Sequence, residues 1–229
     1  MSSIPPPPAP DGASIATRCV VVVPVKPPSF GKSRLAGLPD EQRRELAESF
    51  ALDTVEAVAA TPGVAHVLVV TDDFRLAAAM QALGAEVVPD GASEDLNATL
   101  VQGTAEVARR WPDAVPVALC ADLPGLRPAE LGAVLEDAVA LVRAGGSAFV
   151  RDRAGTGTTL YAAAAARFDP RFGTESASRH AAGGAVEVGT TASSVRADVD
   201  DLLDLGAALV HGVGPRTTQA SGRRATPLG

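Results

Sequence analysis

Three groups of residues in this chain could do chemistry without a covalent intermediate. A basic loop carrying Lys26, Lys32, Ser33 and Arg34 follows the apolar run Cys19 to Val25. Acidic residues close other apolar runs, namely Asp72, Asp90 and Asp122, and Asp198, Asp200 and Asp201 cluster in RADVDDLLDL. Two small polar loops, Gly155 to Thr159 and Arg171 to Ser176, complete the set. Lysine and arginine neutralise polyphosphate, while carboxylates together with water hold hard divalent cations. Together they suit phosphoryl or nucleotidyl transfer, which runs on positioning and charge neutralisation.

Each group also has a plainer reading. Gly31-Lys32-Ser33 is not a P-loop: the glycine that motif needs falls on Lys26, and Pro27 and Pro28 remove backbone donors. What remains is a side-chain clamp for phosphates or a solvated basic loop. Asp122 is a divalent-cation ligand or a turn-forming aspartate before Leu-Pro-Gly. Asp200 or Asp201 caps the last helix, which leaves Asp198 freer to be a second metal ligand. GTGT fails as a dinucleotide fingerprint, since Leu160 occupies the third glycine's position; it is a tight turn or a small-anion loop. Arg171 to Ser176 leads into a helix, whose start could bind phosphate or merely be capped. His180 and Arg179 read as surface residues. His66 and His211 have no catalytic neighbours in sequence. Nucleophile-elbow, HExxH and cysteine-nucleophile signatures are absent.

The elements that position these residues follow from periodicity. Strands are expected at Cys19 to Val25, Ala65 to Thr71, Ala85 to Pro89, Val115 to Cys120, Ser147 to Arg151, Thr158 to Ala162 and Ala185 to Val188. Helices are expected from Asp40 (with Asp40 able to cap), from Asp72-Asp73 to Leu83, from Asp95 to Arg110, from Pro128 to Arg143, near Thr174 and from Asp200 to Val210. Strands alternating with helices predict an α/β fold with a largely parallel, three-layer sheet. Ligands in such sheets bind beyond the carboxyl ends of strands, which singles out the basic loop, Asp72, Asp90 and Asp122.

Composition narrows the class. The 229 residues are one domain with tails, expected as a Pro-rich disordered lead over 1–17, a core over 18–212 and a loose tail over 213–229. Aromatics are only 3% against 46% hydrophobic residues, so the core must be Val, Leu and Ala. A net charge of −7 argues against a nucleic-acid partner and makes the local basic loop stand out. Cys19 and Cys120 lack metal-site spacing and read as reduced core residues. No signal peptide and no membrane-length apolar run is present, giving a soluble cytoplasmic expectation.

The blocks VVVPVK…GKSRL, LNATL, CADLPGL, RDRAGTGTTL, RFGTESASRH and GAVEV…RADVDDLLDL, in this order over residues 19 to 212, resemble the guanylyltransferases of deazaflavin coenzyme F-420 biosynthesis. These act on 2-phospho-L-lactate or phosphoenolpyruvate. The resemblance implies a Rossmann-like nucleotidyltransferase fold with a mixed, mostly parallel sheet. It also implies transfer of GMP from GTP to the phosphate of a small phosphorylated carboxylic acid, with Mg2+, release of pyrophosphate and a product passed to a downstream transferase. By the same resemblance, Lys26, Lys32, Ser33 and Arg34 match the triphosphate loop, and Asn97 the nucleotide-facing block. Asp122 matches the metal site with Asp198 and Asp200, and Thr158, Gly173 and Ser176 match the acceptor pocket. A homodimer is compatible with it. The first block lacks the glycine-rich opening of the molybdopterin guanylyltransferases. An enzyme loading molybdopterin or a sugar phosphate, and a non-catalytic nucleotide-binding module, are the competing expectations.

Overall fold

The computed structural model describes residues 18–26, 35, 38–91 and 95–222; Lys32, Ser33, Arg34 and the Pro-rich lead lie outside them. The strands are β1 (Cys19–Pro24), β2 (Val64–Val70), β3 (Glu86–Val88), β4 (Val115–Leu119), β5 (Ser147–Arg151), β6 (Thr158–Ala163) and β7 (Val186–Glu187). The helices are α1 (Asp40–Ala59), α2 (Phe74–Ala82), α3 (Leu96–Arg110), α4 (Pro128–Arg143), α5 (Ser176–Ala182), α6 (Leu202–His211) and α7 (Pro215–Ala220).

Alternation within β1 sets the layers. Val21 and Val23 pack with α1, α2 and α4, through residues such as Val55, Met80 and Leu135. Val20 and Val22 pack on the other face with Leu100 and Val107 of α3 and Ala177 of α5. A strand buried on both faces reads as a continuous β-branched run, and each buried valine contributes about 1.5 kcal/mol or more. Gly103 of α3 permits close approach to β1, because a Cβ there would sit 2.6 Å from Val22 Cγ1. A third cluster joins Leu46 and Phe50 of α1 to Val199, Leu205 of α6 and Ala220 of α7.

The described strands form one sheet in the order β3-β2-β1-β4-β6-β5-β7. All neighbouring pairs are parallel except β4 with β6 and β5 with β6. The expected mixed, mostly parallel sheet is therefore the observed one. Because β6 runs backwards, its first residues lie at the same edge as the carboxyl ends of β1, β4 and β5.

Local capping departs from expectation in three places. Pro39, not Asp40, precedes α1, and Asp40 lies inside the first turn, paired with Arg43. There its charge favours the helix dipole instead of a cap bond. The helix near Thr174 starts at Ser176, after Glu175 in the left-handed region at φ 54°. Within the stretch beyond Gly212, loose by composition, Pro215–Ala220 forms α7. Its cap comes from another helix: Asp53 of α1 accepts from the amides of Arg216 at 3.2 Å and Thr217 at 2.8 Å. Elsewhere Asp73, Asp95 and Asp201 cap α2, α3 and α6, and Pro128 opens α4.

Candidate active site

Lys26 stands at the carboxyl end of β1, where the Val25 amide still donates to the Val70 carbonyl at 2.9 Å. Its ammonium meets the Asp90 carboxylate at 2.6 Å and the Thr99 hydroxyl at 3.1 Å. Asp90's side chain is only 4% exposed, so its charge requires a cation, while the Lys26 side chain keeps 25% exposure. Asp72, from the end of β2, accepts the Asp90 amide at 2.9 Å. Of the basic loop, the structure thus describes the lysine at its base and shows it ordered by a buried carboxylate.

Asp122 follows β4, and its backbone is held from three sides. The Thr54 hydroxyl of α1 donates to the Ala121 carbonyl at 3.2 Å and accepts the Leu123 amide at 3.1 Å. The Val199 amide donates to the Asp122 carbonyl at 3.0 Å. Next along the chain, the Gly214 amide donates to the Pro124 carbonyl at 2.8 Å. Asp198 and Asp200 flank Val199, whose side chain is buried, so the structure brings their segment against Asp122.

Two supports fix that segment. Arg196 donates to the carbonyls of Arg151, Thr190 and Asp152 at 3.0, 2.7 and 3.1 Å. Ser194 is held by Glu130 of α4 at 2.8 Å through its amide. Asp201 is committed to capping α6 in a reciprocal box with Asp204. Carboxylate oxygens such as those of Asp122 and Asp198 suit a hard divalent cation such as Mg2+. Among the described residues no group of three or more His, Cys, Asp or Glu forms a metal-holding cluster. The remaining ligands of such an ion must be water or substrate phosphate.

The two polar loops meet beside this edge. Asp152 accepts the amides of Gly155, Thr156 and Gly157 at 2.6, 3.0 and 2.8 Å. The loop is therefore a tight turn wrapped on its own carboxylate, and those amides are not offered to an external anion. The Ala177 amide of α5 donates to the Thr156 carbonyl at 3.1 Å. Thr158 Oγ1 lies 3.0 Å from His180 Nδ1, and the Arg171 amide donates to His180 Nε2 at 2.9 Å. The Ser176 amide donates to the Gly173 carbonyl at 3.1 Å, and Gly173 adopts φ 111°. Thr158, Gly173 and Ser176 are thus gathered in one place.

His180 is not the surface residue its sequence neighbours suggest. It is 1% exposed and stacks on Tyr161 with ring centroids 4.6 Å apart. Burial is the main cause that pulls its pKa down from 6.5 to about 4, opposed by the Ser176 carbonyl and helped by Arg171 and Arg179. Asn97, expected in the nucleotide-facing block, is tied to the backbone of Phe172. Its Oδ1 accepts the Phe172 amide at 2.8 Å and its Nδ2 donates to the Phe172 carbonyl at 3.1 Å. Arg179 Nη2 donates to the same carbonyl at 3.1 Å.

The family model described as Guanylyl transferase CofC like matches residues 19–220. The chain belongs to this family. It is 48% identical over 206 residues to the phosphoenolpyruvate guanylyltransferase of Streptomyces coelicolor, covering 89% of this chain and 95% of that one. With the enzyme of the same name from Streptomyces avermitilis the identity is 49% over 210 residues, covering 90% and 95%. With the one from Mycolicibacterium vanbaalenii it is 39% over 208 residues, covering 89% and 95%. Two solved structures share the fold at low identity. A putative nucleotide-diphospho-sugar transferase from Desulfovibrio desulfuricans has a TM-score of 0.60 at 15% identity, with coverage of 93% and 92%. A 4-diphosphocytidyl-2C-methyl-D-erythritol synthase has 0.56 at 13% identity, with coverage of 86% and 98%.

This guanylyltransferase therefore carries a nucleotidyltransferase sheet with Lys26, Asp122, the Asp198–Asp200 segment and both polar loops along one edge. Sequence reasoning did not find Thr54, Asp152 or His180, nor the partnership of Lys26 with Asp90. For His180 a signal existed. Ser176, Ala177 and His180 are the buried positions of α5, and their i, i+1, i+4 spacing marks one helix face. Thr54 and Asp152 act through bonds to backbone, which no side-chain pattern announces.

Proposed function

We propose that the chain transfers GMP from GTP to the phosphate of phosphoenolpyruvate, releasing pyrophosphate, as a step of coenzyme F-420 biosynthesis. The observation that carries this reading is the 48–49% identity, along 95% of their length, to enzymes named for that activity. An oxygen of the acceptor phosphate attacks the α-phosphorus of GTP, and the bond from that phosphorus to the bridging oxygen of the β-phosphate breaks. The nucleophile is already ionised, so no protein base is needed. Lys26 anchors the triphosphate end of the crevice, with Lys32, Ser33 and Arg34 continuing the clamp. Asp122 with Asp198 would hold Mg2+, water and substrate phosphate completing its shell because no three-carboxylate cluster that includes Asp200 is formed among the described residues, and the ion would offset charge on the α-phosphate and on departing pyrophosphate. Thr158, Gly173 and Ser176 receive the acceptor's phosphate and carboxylate. Asn97 supports the acceptor side by fixing Phe172. The activated product, a diphosphate diester, is consumed by a transferase downstream.

The test is a matrix of four nucleoside triphosphates against phosphoenolpyruvate, 2-phospho-L-lactate and 3-phosphoglycerate with Mg2+, scored by pyrophosphate release and product mass. The expected result is a guanylylated product with GTP and phosphoenolpyruvate. Preference for 2-phospho-L-lactate, or for a base other than guanine, overturns the assignment.

A further inference from the structure

We propose that His180 is the positioning residue of the acceptor pocket: through its two ring nitrogens it fixes the Thr158 hydroxyl and the Arg171–Phe172 backbone at one spacing. The inference rests on the reading of Thr158, Gly173 and Ser176 as acceptor-binding.

The direction of each bond follows from donor chemistry. The Arg171 amide can only donate, so Nε2 at 2.9 Å must accept and carries no proton. A neutral ring then carries its proton on Nδ1. With Nδ1 protonated, Thr158 Oγ1 at 3.0 Å accepts from the ring. The hydroxyl's own proton is left to donate, which is what an anionic acceptor oxygen requires. A ring with the opposite tautomer would accept from Thr158 and turn that proton inward.

The surroundings hold the ring in place. Tyr161 and Phe149 stack on it with centroids at 4.6 and 5.9 Å, and Phe172 meets it edge-on at 5.4 Å. In a chain whose aromatics are 3% of residues, three surround this one imidazole. The charged groups facing it are Asp169, Arg171 and Arg179, and burial keeps it neutral. His180 touches neither the reacting phosphates nor the metal side of the crevice. It links three acceptor segments: the start of β6, the Arg171 to Gly173 stretch, and α5.

The test separates its two nitrogens. His180→Asn keeps an amide donor near Nδ1, whereas His180→Gln keeps an amide acceptor near Nε2. Expected is an acceptor KM raised about threefold for His180→Asn, which loses the bond from the Arg171 amide, and ~10-fold for His180→Gln, which loses the bond that orients the Thr158 hydroxyl. The KM for GTP stays unchanged in both. In the wild-type protein, 15N-histidine spectra should show His180 with its proton on Nδ1. A proton on Nε2, an unchanged acceptor KM in His180→Gln, or equal rises in both KM values would overturn the proposal. If a variant loses its fold in circular dichroism, the wild-type tautomer decides. Failure of the acceptor reading shows separately, as wild-type enzyme that releases no pyrophosphate with phosphoenolpyruvate, and the tautomer still tests His180.

Discussion

Replacing Thr54 by valine strikes the site from behind without touching any group that meets substrate. The Thr54 side chain is 0% exposed, and its one hydroxyl serves the carbonyl of Ala121 and the amide of Leu123, on either side of Asp122. Valine fills nearly the same volume but satisfies neither group. A buried backbone group left unpaired costs ~1–3 kcal/mol, so the pair together gives a loss of about 3 kcal/mol. In a domain of this size that lowers Tm by ~6–12 °C. The loss should also loosen Asp122, so that turnover requires more Mg2+ while the KM for acceptor changes little. Thr54→Ser is the control: it keeps the hydroxyl and loses one methyl, about 1 kcal/mol. Urea unfolding followed by circular dichroism, with a Mg2+ titration of pyrophosphate release, reads both effects. A Thr54→Val protein within ~0.5 kcal/mol of wild type, or with an unaltered Mg2+ dependence, would refute the view that this hydroxyl fastens Asp122.

Three further outcomes are expected. Asp122→Asn should lose most turnover while keeping its unfolding midpoint, measured by pyrophosphate release and thermal melting; near-normal turnover would remove Asp122 from the metal site. Gly157→Ala builds a Cβ into the Asp152 carboxylate. It should cost ~2–4 kcal/mol in urea unfolding through lost charge-assisted amide bonds, and it should raise the acceptor KM through Thr158. Acid should destabilise the fold through His180, whose pKa falls from 6.5 to about 4 on burial. Between those values the unfolded chain binds the extra proton, so this contribution is complete above pH 6.5 and is lost as pH falls towards 4. His180→Asn should flatten that part of the stability profile, and an equally steep profile in the variant would contradict it.

The strands and the caps were readable because their signals are local. Four consecutive valines in β1, Pro128 at the start of α4, and Asp73 and Asp95 before α2 and α3 each act within a few residues of themselves. The strand-end rule also located Asp72, Asp90 and Asp122, since a parallel strand delivers its next residue to the crevice. It passed over Thr158, which begins an antiparallel strand and reaches the same edge from the opposite direction. What stayed hidden depends on partners far away in sequence. Lys26 finds Asp90 64 residues on, and α7 is capped by Asp53 from a helix 163 residues earlier. His180 was misread because its neighbours Arg179 and Gly183 are polar or small, while the three aromatics that bury it come from β5, β6 and the Phe172 loop.

The grip of α1 on the end of the domain also has a meaning for biosynthesis. Asp53 and Thr54 are adjacent residues, one holding α7 and the other holding the backbone around Asp122. A ribosome adding 5–20 residues per second makes Arg216 roughly 8–30 seconds after Asp53. Val199, which ties the Asp198–Asp200 segment to Asp122, also emerges late. The first half of the sheet can therefore form early, but α1 gains its bonds to α7, and Asp122 its bond from Val199, only after the later segments are made. Lys26 and Thr54 are thus synthesised long before Val199 and Arg216, whose bonds to Asp122 and Asp53 can form only late.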